Sequence, residues 1–561
     1  MSEAEIETVE ARRSPWAPLR YPVFRALFIA QLASNIGTLM QSVGSAWLMG
    51  DLGASPFLIA LVPTASMLPV LLVGVPAGAL ADIFDRRRLL IGGQMFMLAC
   101  AAALAVMSFL DVVTPASLLA LTFGLGTGSA LTFPAFQAIQ PDLVPPHEFR
   151  QAFALGSLTF NVGRAIGPAI GGFVVAIGGP GWVFLLNAIS FLAIVGVLVW
   201  WRRPVTELDS PAETFSGAMR AGLRYAVHSP ALRLVLNRTA FFTIPAAALQ
   251  ALLPVVARGR LGLSSGGYGV LLGCFGIGAA SAAVIRPRLD ERFKHDQLVL
   301  ISSVALAGAL VVEGTSRVPW VIGLAMLLGG IAWSTALTST GVAAFAALPE
   351  WVRARGMGLY MLVLAGGVAL GSAAWGALAA TSLTVAHIVA AGTLILGLVV
   401  TRRWLLGTVT ELDQRLLPSD DPTVTIVPHP TDGPVLVTVM YEVPGDDVQS
   451  FADAMRLVER HRRRTGAYRW GLFRDLAAPH QFIETFVVES WGEHLRQHRR
   501  ITVNADRFLD PVRRYLGHDV VVTHYLSVYS PAGRDQVGHA FPEALSTDHL
   551  VPGASSTGSD R

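Results

Sequence analysis

Twelve apolar runs, each as long as a helix that crosses a bilayer, fill the chain between residues 22 and 404 and leave it few folds to adopt. A crossing takes roughly 20 apolar residues, and inside hydrocarbon a helix is the one simple segment that satisfies its own backbone. The runs cover approximately 24–48, 56–80, 89–110, 115–140, 151–177 and 181–201, then 234–256, 267–288, 297–314, 319–347, 355–379 and 383–404. Charged residues make up only 14% of the 561, against about a quarter in a soluble domain. The deficit is local, because charge and histidine become frequent after Thr410. The expected fold is an all-α polytopic membrane body of twelve transmembrane helices in two six-helix repeats, followed by a small C-terminal α+β ferredoxin-like domain.

The chain accordingly divides into an N-terminal tail (1–21), a first six-helix half (22–201), a linker (202–233), a second half (234–404), a second linker (405–432), the α+β domain (433–530) and a tail (531–561) whose composition predicts disorder. Within the first linker Phe215 to Val227 forms a short amphipathic piece suited to a membrane surface. Arginine sets the orientation, since positive residues near span ends stay on the cytosolic side. Arg86 to Arg88, Arg202, Arg203, Arg286, Arg288, Arg292, Arg402 and Arg403 fall on the side shared with both termini, and the opposite loops hold only Arg258, Arg260 and Arg317. Both termini are expected in the cytosol, with the body in the cytoplasmic (inner) membrane. The first twenty residues lack the pattern of a cleaved signal.

Several function classes fall away. Cys100 and Cys274 lie inside apolar runs, far apart and without metal-ligand spacing, so neither a disulfide framework nor a metal site is expected. No Gly-x-x-x-x-Gly-Lys-Ser/Thr loop occurs, which disfavours an ATP-driven pump, and no cofactor is implied. With a net charge of +3 and basic residues that follow topology, nucleic acid is not an expected partner; a small-molecule solute and the lipid bilayer are.

The halves also match each other. At an offset of 204 residues Gly126 meets Gly330, Pro145 meets Pro349, Gly163 meets Gly367, Gly167 meets Gly371 and Gly172 meets Gly376. Several coincidences in one register argue for a parallel duplication, in which a solute site lies near the midplane between the repeats.

Three motifs carry a family resemblance. Gly78-Ala-Leu-Ala-Asp82-Ile-Phe-Asp85-Arg86-Arg87-Arg88, after the second span, resembles the signature of the major facilitator superfamily. Gly78, Asp82, Arg86 and Arg87 fit it, whereas Ile83 and Asp85 stand where a basic residue and glycine are usual. The resemblance implies a charge cluster that latches the halves on the cytosolic side. Gly163-Arg164-Ala-Ile-Gly167-Pro168-Ala-Ile-Gly171-Gly172, on the fifth span, resembles the motif of exporters in that superfamily, and its small residues at 163, 167 and 171 permit close helix packing. Phe133-Pro134-Ala-Phe136-Gln137 with Gln140-Pro141-Asp142 resembles the enterobactin-exporter and macrolide-efflux branch. The fourth span lacks the arginine of many proton-coupled relatives. Asp51, Asp82, Asp85, Asp111 and Glu313 all lie near span ends, which leaves coupling open.

A polar face on a membrane helix looks at a cavity or at another helix. On the first span Gln31, Asn35, Thr38, Ser42 and Ser45 share one face, and on the fifth Ser157, Asn161 and Arg164 do the same. These residues are the candidate substrate cavity, with helix-to-helix hydrogen bonding as the alternative for the first span. At the 204 offset the second half offers Met361, Ala365 and Val368, an apolar wall suited to an amphipathic solute.

In the C-terminal part Pro434 to Val443, Tyr468 to Asp475, Phe482 to Ser490 and Val520 to Tyr529 read as strands, and Asp446 to Arg464 and Trp491 to Leu516 as helices. Gly466 to Asp475, with Trp491, His494 and His498, resembles the dimeric α+β barrels of the antibiotic-biosynthesis monooxygenase class. That implies either a pocket lined by those three residues or a regulatory or homodimerisation module; no nucleophile, metal or cofactor constellation favours catalysis. The expected function is a secondary active transporter, not an enzyme, that exports a small amphipathic solute such as a siderophore or antibiotic by alternating access. The alternative is a membrane-tethered monooxygenase or sensor.

Overall fold

The computed structural model describes residues 14–83, 85–201 and 215–403, and 405–527 apart from 407–408, 410–411, 413, 417–421, 423, 427, 504–509 and 516–521; of 75–83, 138, 141, 215–219 and 221 the backbone alone is described. The chain separates into two units. One comprises residues 1–218, 231–348 and 353–412, the other 219–230, 349–352 and 413–561.

Among the described residues, the first unit carries twelve helices long and apolar enough to cross a membrane. They are α1 (Pro22–Asp51), α2 (Pro56–Ile83), α3 (Arg86–Phe109), α4 (Pro115–Ile139), α5 (Phe149–Gly178) and α6 (Pro180–Trp200), and, after the intervening helix α7 (Phe215–His228), α8 (Pro230–Ala246), α9 (Ser265–Arg292), α10 (His295–Thr315), α11 (Pro319–Ala346), α12 (Arg353–Ala379) and α13 (Leu383–Thr401). Six of the twelve begin on proline, whose fixed φ suits the first helical position and whose missing N–H is not needed there. Side-chain caps begin others: Thr114 and Ser117 form a reciprocal box at α4, Ser382 caps α13, and Asp85 accepts from the Arg88 amide at 2.8 Å to cap α3. The seventh span is irregular. Beyond α8 the chain continues in short helical pieces around Pro254 and ends in a π-helical turn, Val256–Arg260.

The two halves pack alike. In the first, α2 lies on α4, α3 on α4 and α6, and α1 on α5; in the second, α9 lies on α11, α10 on α11 and α13, and α8 on α12 through Trp375, whose Nε1 donates to the Ile244 carbonyl at 2.8 Å. The glycines paired at offset 204 occupy matching crossings. Gly126 and Gly330 put α4 and α11 against backbone carbonyls of α2 and α9, at Ser66 and Phe275, and Gly163 and Gly367 bring α5 and α12 onto α1 and α8, at Asn35 and Thr243. Gly172 and Gly376 do so across the halves, toward α9 and α2 respectively.

Contact between the halves runs along α5–α9 and α2–α12. At the end where α1 finishes, a buried cluster mixes both halves, with Val43, Ala46 and Ala60 among Leu252, Tyr268 and Trp375. Trp47 stacks on Tyr268 at 6.1 Å, and Arg258 lies over Trp47 while pairing with Asp51. At the opposite end, where α1 begins, the cluster around Phe24, Leu90, Ile139 and Leu198 draws on the first half alone. Among the described residues, the buried cluster that joins the two halves lies at the end where α1 finishes.

The second unit is built on a four-stranded antiparallel sheet, β1 (Val435–Glu442), β2 (Arg469–Arg474), β3 (Gln481–Val488) and β4 (Val522–Leu526), in the order β2-β3-β1-β4. Helix α14 (Val448–Thr465) joins β1 to β2, and α15 (Trp491–His498) and α16 (Asp510–Arg513) lie between β3 and β4. The helix expected over Trp491 to Leu516 is interrupted after His498, where Thr502 bridges Leu416 and the Val503 amide donates to the Arg415 carbonyl; residues 504–509 and 516 of that range lie outside the described residues. Alternate residues of β1 and β3 face the helices and bury Val437, Tyr441, Phe482 and Phe486 with Phe451 and Trp491. Residues 219–230, in the stretch between the membrane halves that reads as a linker, belong to this unit. Tyr225 of α7 is buried there edge-on to Trp351 at 5.7 Å, and Arg500 lies 4.2 Å over the Trp351 ring. The expected tail at 531–561 and residues 202–214 fall outside the described residues.

Candidate functional site

On α5 two opposite stripes differ in chemistry. Ile166, Ile170, Phe173 and Ile177 are exposed apolar side chains at helical spacing, as lipid requires, and Ser157, Asn161 and Arg164 occupy the other side. Between these stripes α5 is covered by α1 on one flank, through Gly163, Gly167 and Gly171, and by α9 on the other, where Gly276 sits against the Arg164 carbonyl. Pro168 is buried with these glycines. The polar stripe therefore looks into the space between the halves. On α1 Thr38 and Ser42 are likewise exposed, on the side opposite Ile29.

The two stripes meet. Asn35 donates from Nδ2 to Thr159 Oγ1 at 2.9 Å, tying α1 to α5, and Gln31 Nε2 donates to Asn35 Oδ1 at 3.3 Å. Ser157 and Ser42 spend their hydroxyl protons on their own helices, at the carbonyls of Phe153 and Leu39. Ser45 is buried. Asn35 thus ties α1 to α5, steadied by Gln31 on its own helix, whereas Thr38 and Ser42 are exposed. Arg164 is the one charge on these faces. Its guanidinium lies 4.9 Å from the Phe160 ring, and among the described residues it forms no hydrogen bond or ion pair. Across the space, Met361 of α12 is exposed and Val368 half-buried on the side opposite the exposed Leu370, while Ala365 is buried.

Of the charged motif after α2, Gly78 and Asp82 have side chains outside the described residues. Arg87 donates to the Leu198 and Val199 carbonyls at 2.7 and 2.9 Å, capping the end of α6 in the same half, and Arg86 also has a partner. Asp85, where the family usually has glycine, caps α3. Sequence reasoning missed Thr159, and it missed the buried Gln41–Asn187 pair between α1 and α6. It also missed Arg238 with Asp296 and the fully buried His387–Glu313 pair. Each joins residues on different helices, so local spacing carries no trace of them.

Comparison with known proteins agrees with this architecture. The family described as transmembrane secretion effector matches residues 13–532. Enterobactin exporters of Shigella boydii and Salmonella typhi are each 27% identical to this chain, over 70% and 67% of it and 93% and 91% of their own lengths. Among solved structures, the nucleoside transporter NupG superposes with a TM-score of 0.57 at 13% identity, over 68% of this chain and 99% of its own. A bacterial homologue of the lysosomal transporter Spinster, inward-facing and occupied, gives 0.56 at 16% identity, over 72% and 99%. At such identities the likeness concerns the fold alone.

Proposed function

The chain belongs to the transmembrane secretion effector family of major facilitator transporters, a multi-pass membrane protein whose relatives are transporters and not enzymes, and on that premise we propose that it exports a small amphipathic solute rich in anionic or carbonyl oxygen. The relatives named as enterobactin exporters support the direction and the solute class. The observation that carries the reading is Arg164. A permanently charged guanidinium on a membrane helix, facing the space between the halves and lacking a carboxylate partner among the described residues, favours a solute that brings the acceptors. Thr38, Ser42, Ser157 and Asn161 supply further hydrogen bonds, with Gln31 and Asn35 holding the wall, and Met361 and Val368 offer an apolar surface opposite. Gly163, Gly167, Pro168, Gly171 and Gly172 keep α5 close to its neighbours while the halves rock.

The arginine asymmetry supports placing both termini in the cytosol of a cell with this protein in its inner membrane. The end at which α1 begins then opens inward, and the Asp51–Arg258 end is the closed outer gate. Gly78, Asp82, Arg86 and Arg87 would gather at the inner side when that end closes. We read the sheet-bearing unit as ferredoxin-like from its strand order and as a dimerisation or regulatory module, since Phe473 and Tyr525 stand exposed on its outer sheet face for a second copy. Flux of a radiolabelled catecholate siderophore into inverted vesicles, with and without an imposed proton gradient, tests the reading. Chain-dependent accumulation in inverted vesicles is expected; uptake confined to right-side-out vesicles would reverse the direction.

A further inference from the structure

We propose that His494, His498 and His524 form a binding site for one divalent transition-metal ion of the zinc class, with a fourth coordination position left open. His494 and His498 are four residues apart on α15, so both rings leave one face of the helix. His524 comes from β4, where it pairs with Val437 and shares the helix-facing side of the sheet. One ligand-capable atom from each ring lies within 4.8 Å of the others. His494 is 1% exposed and neither of its ring nitrogens has a hydrogen-bond partner; Nε2 of His524 is also buried and unpaired.

Buried nitrogens without partners are costly, and a core that wanted only packing would hold phenylalanine or leucine at such positions. One metal ion takes one nitrogen from each ring. The surroundings suit the neutral, ligating form of imidazole: Trp491 lies 5.5 Å from His494 and 5.9 Å from His524, and Phe486 lies 6.4 Å from His494. A set made only of imidazoles selects zinc and its late first-row neighbours over calcium or magnesium, which take oxygen. His498 and His524 are only half-buried, which gives the ion a way in.

Cobalt(II) is the probe. The full-length chain, purified in detergent without a polyhistidine tag and stripped with a chelator, is expected to take up one equivalent with the visible absorption of a four-coordinate ion, and to release it to one equivalent of zinc(II). His498→Ala and His524→Phe are each expected to weaken cobalt binding by at least about tenfold. Binding that both variants leave unchanged, or no binding by the unaltered chain at micromolar cobalt, would overturn the site and leave a packed histidine cluster. Should a variant loosen the unit, hydrogen exchange of the unaltered chain decides. Zinc-dependent protection of residues 491–498 and 522–526 supports the site, and identical exchange with and without zinc refutes it.

Discussion

Gly172 of α5 and Gly269 of α9 touch so closely that a Cβ built on either would fall 2.8 Å from the Cα of the other. A Cβ on Gly172 would also lie 2.6 Å from the Ser265 carbonyl oxygen, and one on Gly269 2.7 Å from that of Pro168. The obstacles are backbone atoms and cannot step aside, so a side chain at either position forces the halves apart at their closed end. Overpacking costs about 1–3 kcal/mol, which shifts a two-state equilibrium by roughly 5- to 150-fold. Gly172→Val should therefore disfavour this state and cut transport while the body still inserts. Spin labels at Ile177 and Val270, both exposed, should move apart in the variant; an unchanged distance distribution would show that the contact does not hold the end shut.

Arg164 supplies a second prediction. Arg164→Lys keeps the charge and loses the planar fork, and Arg164→Gln loses both. If the guanidinium meets the solute, affinity should fall in both variants and further in the glutamine one, by about tenfold or more. Expression and insertion should hold, since a charge on a membrane helix costs at least roughly 2.5 kcal/mol and its removal relieves that cost. Wild-type affinity for Arg164→Gln at equal expression would return Arg164 to a packing role.

What could be read in advance follows the range of the physics. Span length and the proline starts at Pro22, Pro115 and Pro180 depend on a few neighbouring residues and on the bilayer, so the twelve helices were legible. The glycine register was legible because close backbone approach admits one residue type, and Gly163 and Gly367 meet corresponding helices. The open polar face of α5 was visible as spacing. That α7 belongs with the sheet was not legible, because Arg224 and Glu493 lie 269 residues apart. The same holds for His524, which joins His494 through strand pairing alone, and for Gln41, whose partner Asn187 lies 146 residues away on α6. The π-helical close of the seventh span, after Pro254, also left no periodic sign.

The sheet-bearing unit should weaken in mild acid through His461. This ring is buried on α14, its Nδ1 3.3 Å from Arg464 Nη2, and burial first, then Arg464 and Arg462, hold it well below the ordinary histidine range. The folded ring stays neutral while the unfolded one takes a proton below about pH 6.5. Its contribution is thus fully present above that pH and falls away below it, by about 1.4 kcal/mol per pH unit while only the unfolded ring is protonated. Hydrogen exchange of residues 448–465, corrected for intrinsic rates, should show protection dropping from pH 6.5 to 5.5. His461→Asn should lose less over that interval; equal losses in the two proteins would remove His461 as the cause.

Glu493 carries the last prediction. Its carboxylate accepts from Arg500 Nη1 at 2.6 Å, Arg224 Nη2 at 2.9 Å and Arg496 Nε at 3.0 Å. Burial alone would raise this carboxyl, but Arg500 and then Arg224 and Arg496 outweigh it and hold the group below the usual range. Removing the anion takes from Arg224, Arg496 and Arg500 the carboxylate they share in a largely buried cluster, a loss on the order of 3–5 kcal/mol. Arg224→Ala should cost less, because Glu493 keeps Arg500 and Arg496, so the double variant should resemble Glu493→Gln alone. The readout is hydrogen exchange over residues 219–228, where Tyr225 is buried: Glu493→Gln should strip their protection and leave α1–α6 and α8–α13 as they were. Truncation after Leu412 should do the same, since the membrane helices pack within their own unit. Loss of insertion on truncation would mean that the membrane body depends on the tail to fold, and unchanged protection of residues 219–228 in Glu493→Gln would mean that packing around Tyr225, not the buried charge cluster, holds α7 in place.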